Sequence, residues 1–295
     1  MGIQERLSKE LGIKLGVVDS VIEMLDEGNT VPFIARYRKE RTEGLSDEIL
    51  RKFSERLTYL RNLDERKVDV KRLIEEQGKL TEEIVNALSK AETLTEVEDI
   101  YRPYKAKKRT RATIAKEKGL EPLKDIIMNG KFSGDVGEEA SKYINEEKKV
   151  ETVDDAINGA LDIIAEAVSE EAKFRKYIRE LVMREGVIES KGSSDETTPY
   201  EMYYEYSEEV KKIPSHRILA INRGEKEKIL SVKIKANDEK IIKYLENHVL
   251  KNNENTDEYI KIAIRDAYKR LIYPSIEREI RSELTDRAEE GAINV

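Results

Sequence analysis

Two runs of cationic side chains carry the chemistry most open to this sequence. Residues 102–118 read RPYKAKKRTRATIAKEK. They hold Arg102, Lys105, Lys107, Lys108, Arg109, Arg111, Lys116 and Lys118 against one acid, Glu117. Residues 30–42 read TVPFIARYRKERT and turn from apolar to basic, with Arg36, Arg38, Lys39 and Arg41. The chain as a whole has a formal net charge of −7. A basic cluster in an acidic chain is a local feature and not a by-product of composition. Clustered Lys and Arg are the electrostatic footprint of a polyanion site, and a phosphate backbone is the polyanion they suit. A solvated loop between helices gives the same pattern over so short a stretch.

The common catalytic signatures are missing. There is no GxxxxGK[ST] phosphate loop and no GxGxxG after a strand. The two histidines, His216 and His248, have no HExxH partner, and Ser215 beside His216 has no GxSxG elbow around it. Acid pairs such as Glu98-Asp99 and Asp154-Asp155 are expected among 61 carboxylates. With no cysteine, disulfides and thiolate metal sites are excluded, and a reducing cytoplasm is the expected setting. No apolar run approaches the roughly 18 residues of a membrane helix, and the N-terminus lacks the apolar core of a secretory signal. The chain is therefore read as a non-enzyme with no cofactor, no small-molecule substrate and no membrane span. Tyr200, Tyr203, Tyr204 and Tyr206 could stack bases. Glu201, Glu205, Glu208 and Glu209 are interleaved with them and would repel phosphates, so this cluster is read as core or interface.

These residues must be positioned by helices. Of 295 residues, 38% are hydrophobic and 39% charged, and apolar positions recur at helical spacing, so the chain is ordered. Glu, Lys, Arg and Leu dominate and favour helix. The expected fold is all-α: a mostly helical multi-helix array with a helix-turn-helix-like module and at most a short β element near residues 229–236. The module is residues 3–11 and 15–27, two short helices parted by Gly12-Ile13, the second with Leu15, Val18, Ile22 and Leu25 on one face. Ser46 caps a long helix through Leu50, Phe53, Leu57 and Leu60 toward Gly78. Thr81 caps the next, and Thr95 with Glu98 forms a capping box for a helix that Pro103 ends.

Beyond the basic segment, 135–186 reads as helix, with Ser169 a cap between two apolar faces. Residues 190–198 read as a linker. A helix from Pro214-Ser215 is expected to stop at Gly224, and Leu230, Val232 and Ile234 alternate as a strand. Thr256 caps a further helix, and Pro274 opens the last. The organisation expected is 1–79, helix-turn-helix-like helices and a long scaffold helix; 80–190, a helical scaffold with the basic segment 102–118; and 191–295, a Tyr-rich segment, short strand and C-terminal helices.

Five segments carry a resemblance more specific than any of these motifs. VPFIARYRKERTEGLSDEIL (31–50), LTYLRNLDERK (57–67), EQGKLTEEI (76–84), LTEVEDIYRPYKAKKRTRATIAKEKGLEPL (94–123) and IPSHRILAINRGEKEKIL (213–230) together resemble the N-terminal part of the Tex family of bacterial transcription accessory proteins. The resemblance implies an all-helical scaffold with a helix-turn-helix-like module. It also implies that the chain is an N-terminal fragment, because family members continue into an RNase-H-like domain, helix-hairpin-helix elements and an OB-fold RNA-binding domain.

The expected function is nucleic-acid association in transcription, with RNA or DNA bound at low sequence specificity and the transcription machinery as a possible partner. Arg36, Arg38, Lys39, Arg41, Lys105, Lys107, Lys108, Arg109 and Arg111 would contact phosphate, which gives affinity without sequence choice. The competing expectation is a helical protein-interaction scaffold. Its basic segment would dock on the family's further domains or on an acidic transcription partner.

Overall fold

The computed structural model describes residues 2–193 and 197–293. It is mostly helical, with one small sheet, and divides into two compact units, Met1–Tyr101 and Arg102–Val295.

The first unit is built from α1 (Ile3–Leu11), α2 (Leu15–Asp26), α3 (Val31–Tyr37), α4 (Asp47–Glu76), α5 (Glu82–Lys90) and α6 (Leu94–Tyr101). Gly12 ends α1 at φ 66°, a left-handed conformation that glycine adopts without steric cost. Ser46 and Thr81 cap α4 and α5 as expected, accepting from the Ile49 and Ile84 amides. Leu50, Phe53, Leu57 and Leu60 of α4 line the core, joined by Leu7, Ile34 and Met24. On α2 the buried face is Val17, Val18, Val21 and Met24, rotated from the expected one, and Leu15 is exposed. Every spacing of three or four residues fits a helix, and only the neighbours select the face.

The cap of α6 also shifts. Thr93, not Thr95, accepts from the Glu96 amide, while the Glu96 carboxylate accepts from the Glu92 amide. Thr93-x-x-Glu96 and Thr95-x-x-Glu98 satisfy the same pattern, and Glu98 is taken instead by Arg66 at 2.6 Å.

The second unit begins with a 3-10 turn at Arg102–Tyr104, followed by α7 (Arg111–Glu117), α8 (Glu121–Ile127), α9 (Val136–Ser141), α10 (Val153–Glu170) and α11 (Ala172–Glu185). The expected helix from 135 to 186 is thus interrupted after α9, where Asn145 and Val150 form an isolated bridge. Ser169 is no cap. It lies inside α10 and donates to the Glu166 carbonyl. Ile157, Leu161, Ile164 and Val168 of α10, with Phe174, Ile178 and Leu181 of α11, enter one continuous core.

Next come β1 (Val187–Gly192), β2 (Glu205–Glu209), α12 (Ser215–Lys226), β3 (Leu230–Lys235), α13 (Asp238–Val249), α14 (Asp257–Asp266), a π-helical turn at Ala267–Ile272 and α15 (Tyr273–Ile293). The sheet order is β2-β1-β3, with both pairings antiparallel. Ile188 pairs with Ile234 and Glu208, and Ser190 with Val232 and Tyr206, so these side chains share one face.

The expected strand is β3. Two more were not anticipated, and Ser190, Lys191 and Gly192 of the expected linker belong to the central strand. Ser194, Asp195 and Glu196 of that linker lie outside the described residues. Ser190 is buried and donates to the Tyr203 carbonyl, so a polar residue occupies a core position that hydropathy alone reads as loop. Tyr200 and Tyr203 are buried, as expected for a core cluster.

Gly224 does not stop α12. It lies inside the helix, where an added Cβ would fall 2.6 Å from Leu230 Cδ1 and 3.1 Å from Tyr200 Cδ1. The glycine serves close packing, not a turn. Thr256 precedes α14 without a side-chain cap bond; Asp257 instead accepts from the Lys251 and Asn253 amides. Pro274 does not open a separate helix, because α14, the π turn and α15 follow without a loop. The Tyr273 amide donates to the Tyr268 carbonyl, five residues back. Proline cannot make the ordinary bond four residues back, and the wider turn directly upstream accommodates it.

Candidate nucleic-acid interface

In the first unit the basic run begins on α3 and continues into the turn after it. Thr30 starts the helix, accepting from the Phe33 amide, and Pro32 lies in its first turn. Ile34 is buried, which turns the opposite face outward. Arg36, Arg38 and Lys39 are exposed. The Arg38 guanidinium lies 5.4 Å from the Phe33 ring centroid and that of Arg36 lies 5.9 Å from Tyr37. The turn is internally bonded. The Thr42 amide donates to the Arg38 carbonyl and the Gly44 amide to the Lys39 carbonyl, and the Thr42 side chain is fully buried. Arg41 departs from the others by pairing with Glu23 on α2. Lys14 pairs with Glu43 at 2.7 Å. Two acids near the run are thereby occupied, and Glu40 remains exposed among the cations.

In the second unit the basic segment splits by role. Arg102 lies 3.5 Å from Glu279 on α15. The same carboxylate is held by Arg175 at 2.8 Å and Arg179 at 3.0 Å from α11, and by the Ser275 hydroxyl at 3.2 Å. Burial pushes Glu279 toward the neutral form, but the Arg175 and Arg179 guanidiniums outweigh it and hold the group below the usual carboxylate range. Lys107 turns onto α10 between Glu166, at 3.5 Å, and Glu170. Burial raises the Glu170 carboxyl, opposed by its hydrogen bond from Lys107. Asp162, one turn before Glu166, lies 3.6 Å from Arg270 and is raised by burial, with Arg270 and Arg111 opposing. Asp162, Glu166 and Glu170 thus form an acidic ladder at four-residue spacing. In a chain with 61 acids nothing in the sequence singles it out, and only its basic neighbours give it meaning.

Most of the remaining cations of the segment face outward. Lys105, Lys108 and Arg111 are exposed. Arg109 is 69% exposed and pairs with Glu117 at 2.9 Å, a contact weak enough in water for a phosphate to replace. Lys118 donates to the Lys149 carbonyl and anchors the far end. The cations of residues 105–111 therefore stand on a connection pinned at Arg102, Lys107 and Lys118.

A family model described as the Tex-like protein N-terminal domain matches residues 1–75, and one described as Tex central region-like matches residues 133–295. The chain belongs to the Tex family. It is 47% identical to a Bacillus subtilis protein, YdcI, over 99% of this chain and 41% of that protein. It is 37% identical to the transcriptional accessory protein Tex of Neisseria gonorrhoeae, over 100% of this chain and 40% of that protein. It is also 30% identical to the human S1 RNA-binding domain-containing protein 1, over 97% of this chain and 30% of that protein. The chain therefore spans about two-fifths of the length of the bacterial relatives. Arg36 to Arg41 fall inside the Tex N-terminal match, whereas residues 102–118 lie between the two matched regions. Among the described residues no helix is long and apolar enough to cross a membrane, and no group of three or more His, Asp or Glu could hold a metal.

Proposed function

We propose that this chain is a nucleic-acid-associated, non-enzymatic scaffold in transcription, placed in the cytoplasm and acting beside the transcription machinery. The observation that carries the reading is the pair of outward-facing cation sets, Arg36, Arg38 and Lys39 in one unit and Lys108, Arg109 and Arg111 in the other, on a chain of net charge −7. Such sets neutralise phosphate without reading bases, so RNA and DNA are both bound with little sequence choice. α1 and α2 serve as a helix-turn-helix-like element in this reading. The names of the Neisseria and human relatives, a transcription accessory protein and an S1 RNA-binding protein, support the same direction.

The test is titration of fluorescently labelled duplex DNA and single-stranded RNA with this chain at low salt. Binding weakens when Lys108, Arg109 and Arg111 are all replaced by alanine, and likewise for Arg36, Arg38 and Lys39. Absence of binding at low salt, or affinity unchanged in both triple variants, refutes the proposal.

One observation favours a second reading for part of the segment. Arg102 and Lys107 are committed to Glu279, Glu166 and Glu170. In that reading these cations organise a protein-interaction scaffold. Lys107→Ala then lowers thermal stability and leaves nucleic-acid affinity unchanged.

A further inference from the structure

The chain has 14 tyrosines and 4 phenylalanines, and among the described residues Tyr37 is the one of them that is exposed, at 56%. It closes α3 one turn after Phe33, with the two ring centroids 5.2 Å apart and tilted at 45°. An aromatic pair at this spacing supports the short helix from its own surface. That does not account for leaving the outer ring in water, nor for the arginine beside each ring of the pair. Arg36 lies beside the Tyr37 ring and Arg38 beside that of Phe33, with Lys39 next along the chain and exposed. The turn that follows is held by its own backbone bonds and by buried Thr42, so the arrangement exists before any ligand arrives.

We infer that this face is a stacking site for an unpaired nucleic-acid base, with Tyr37 as the platform and Arg36, Arg38 and Lys39 contacting the phosphates of the same strand. The inference rests on the phosphate-binding reading above and narrows it to single strands at this site. A ring standing in solvent offers a flat apolar surface that any base can cover, while neighbouring guanidiniums hold the backbone and can themselves stack. In a duplex the base faces are already covered, and Tyr37 would have nothing to stack on. An exposed cation–π contact is weak enough for a base to displace Arg36 from the ring. Glu40 is the acid closest in sequence that no cation in the turn occupies, and it sets a limit on how far the strand extends past Lys39.

The chain contains no tryptophan, so Tyr37→Trp creates a single reporter. Its fluorescence is titrated with a 12-nucleotide oligothymidylate and with a deoxyribose-phosphate oligomer of equal length lacking bases. The base-bearing strand quenches the reporter and the base-less strand does not. Tyr37→Ala weakens the base-bearing strand about tenfold, toward the low end of one base–aromatic stack, and leaves base-less binding unchanged. Tyr37→Phe binds as the parent does. Thermal melts of each variant separate a lost platform from a damaged helix. Equal quenching by both strands, or unchanged affinity in a folded Tyr37→Ala, overturns the stacking site while leaving phosphate binding standing. Failure of the parent chain to bind either strand overturns both.

Discussion

In the second unit the charged side chain of Arg175 is held in the core. It is 1% exposed and donates to Glu279 and to Ser275, each at 2.8 Å. Removing one member of a buried charge pair leaves the other in a poor solvent, which costs far more than the pair contributes. Arg175→Ala is therefore expected to destabilise the chain by about 3 kcal/mol, read from urea unfolding. Glu279→Ala is expected to cost more than any single arginine variant, because it takes the shared carboxylate from Arg175, Arg179 and Arg102 together. In the first unit, Glu10 accepts two hydrogen bonds from Arg56, at 2.6 and 2.9 Å, and one from Arg6 at 2.8 Å. The Arg56 bonds outweigh desolvation and bring its carboxyl from 4.5 down to about 2. A pKa lowered by folding adds stability above the unfolded value and loses it as pH falls through the folded one. The stability gap between the parent and Glu10→Gln should thus be present above pH 4.5 and close toward pH 2. After allowance for solvent screening its size is about 1 kcal/mol. A gap that stays constant across that window would show that Glu10 contributes by packing alone.

At the scale of elements, local rules located the helices better than they located helix ends. Ser46, Thr81, Gly12 and the α4 stripe were readable because each is a short-range requirement: an orphan amide, a left-handed residue, a core-facing row. Thr93 against Thr95 was not readable, since two overlapping patterns share one segment and the choice fell to Arg66, which takes Glu98 from across the unit. Gly224 illustrates the same limit. A glycine near a helix end reads as a stop, yet this one is there for Leu230 and Tyr200. Replacing it by alanine should gain about 1 kcal/mol of helix propensity and lose about 1–3 kcal/mol to overpacking. The net expectation is a lower melting temperature by differential scanning calorimetry; a higher one would mean that Leu230 moves aside freely. β1 and β2 were missed because Ser190 and Glu208 share the inward face with Ile188, which breaks the apolar alternation that marks a half-buried strand.

For the molecule as a whole, the charge distribution decides what a polyanion meets. The net charge of −7 repels it at long range, so binding rests on the local sets alone. On duplex DNA, at roughly −0.9 per phosphate contact, Lys108, Arg109 and Arg111 together contribute a log–log salt slope no steeper than about −3. Replacing these three by alanine should flatten the measured slope by about that amount, and a slope that does not change would assign the contacts to other residues. Composition, periodicity and ordered motifs are properties of the chain, and from them follow the helical class, the absence of cysteine chemistry, the positions of both basic runs and the family. How the cations divide was settled by folding. Lys107 and Arg102 are spent on Glu166, Glu170 and Glu279, while Arg109 and Lys108 face solvent. It also decided that Tyr37 stands exposed beside arginines. Adjacent residues look alike in sequence, and the difference between an ion-paired lysine and a free-facing one lies in side chains some sixty to 180 positions away that folding alone brings within 4 Å.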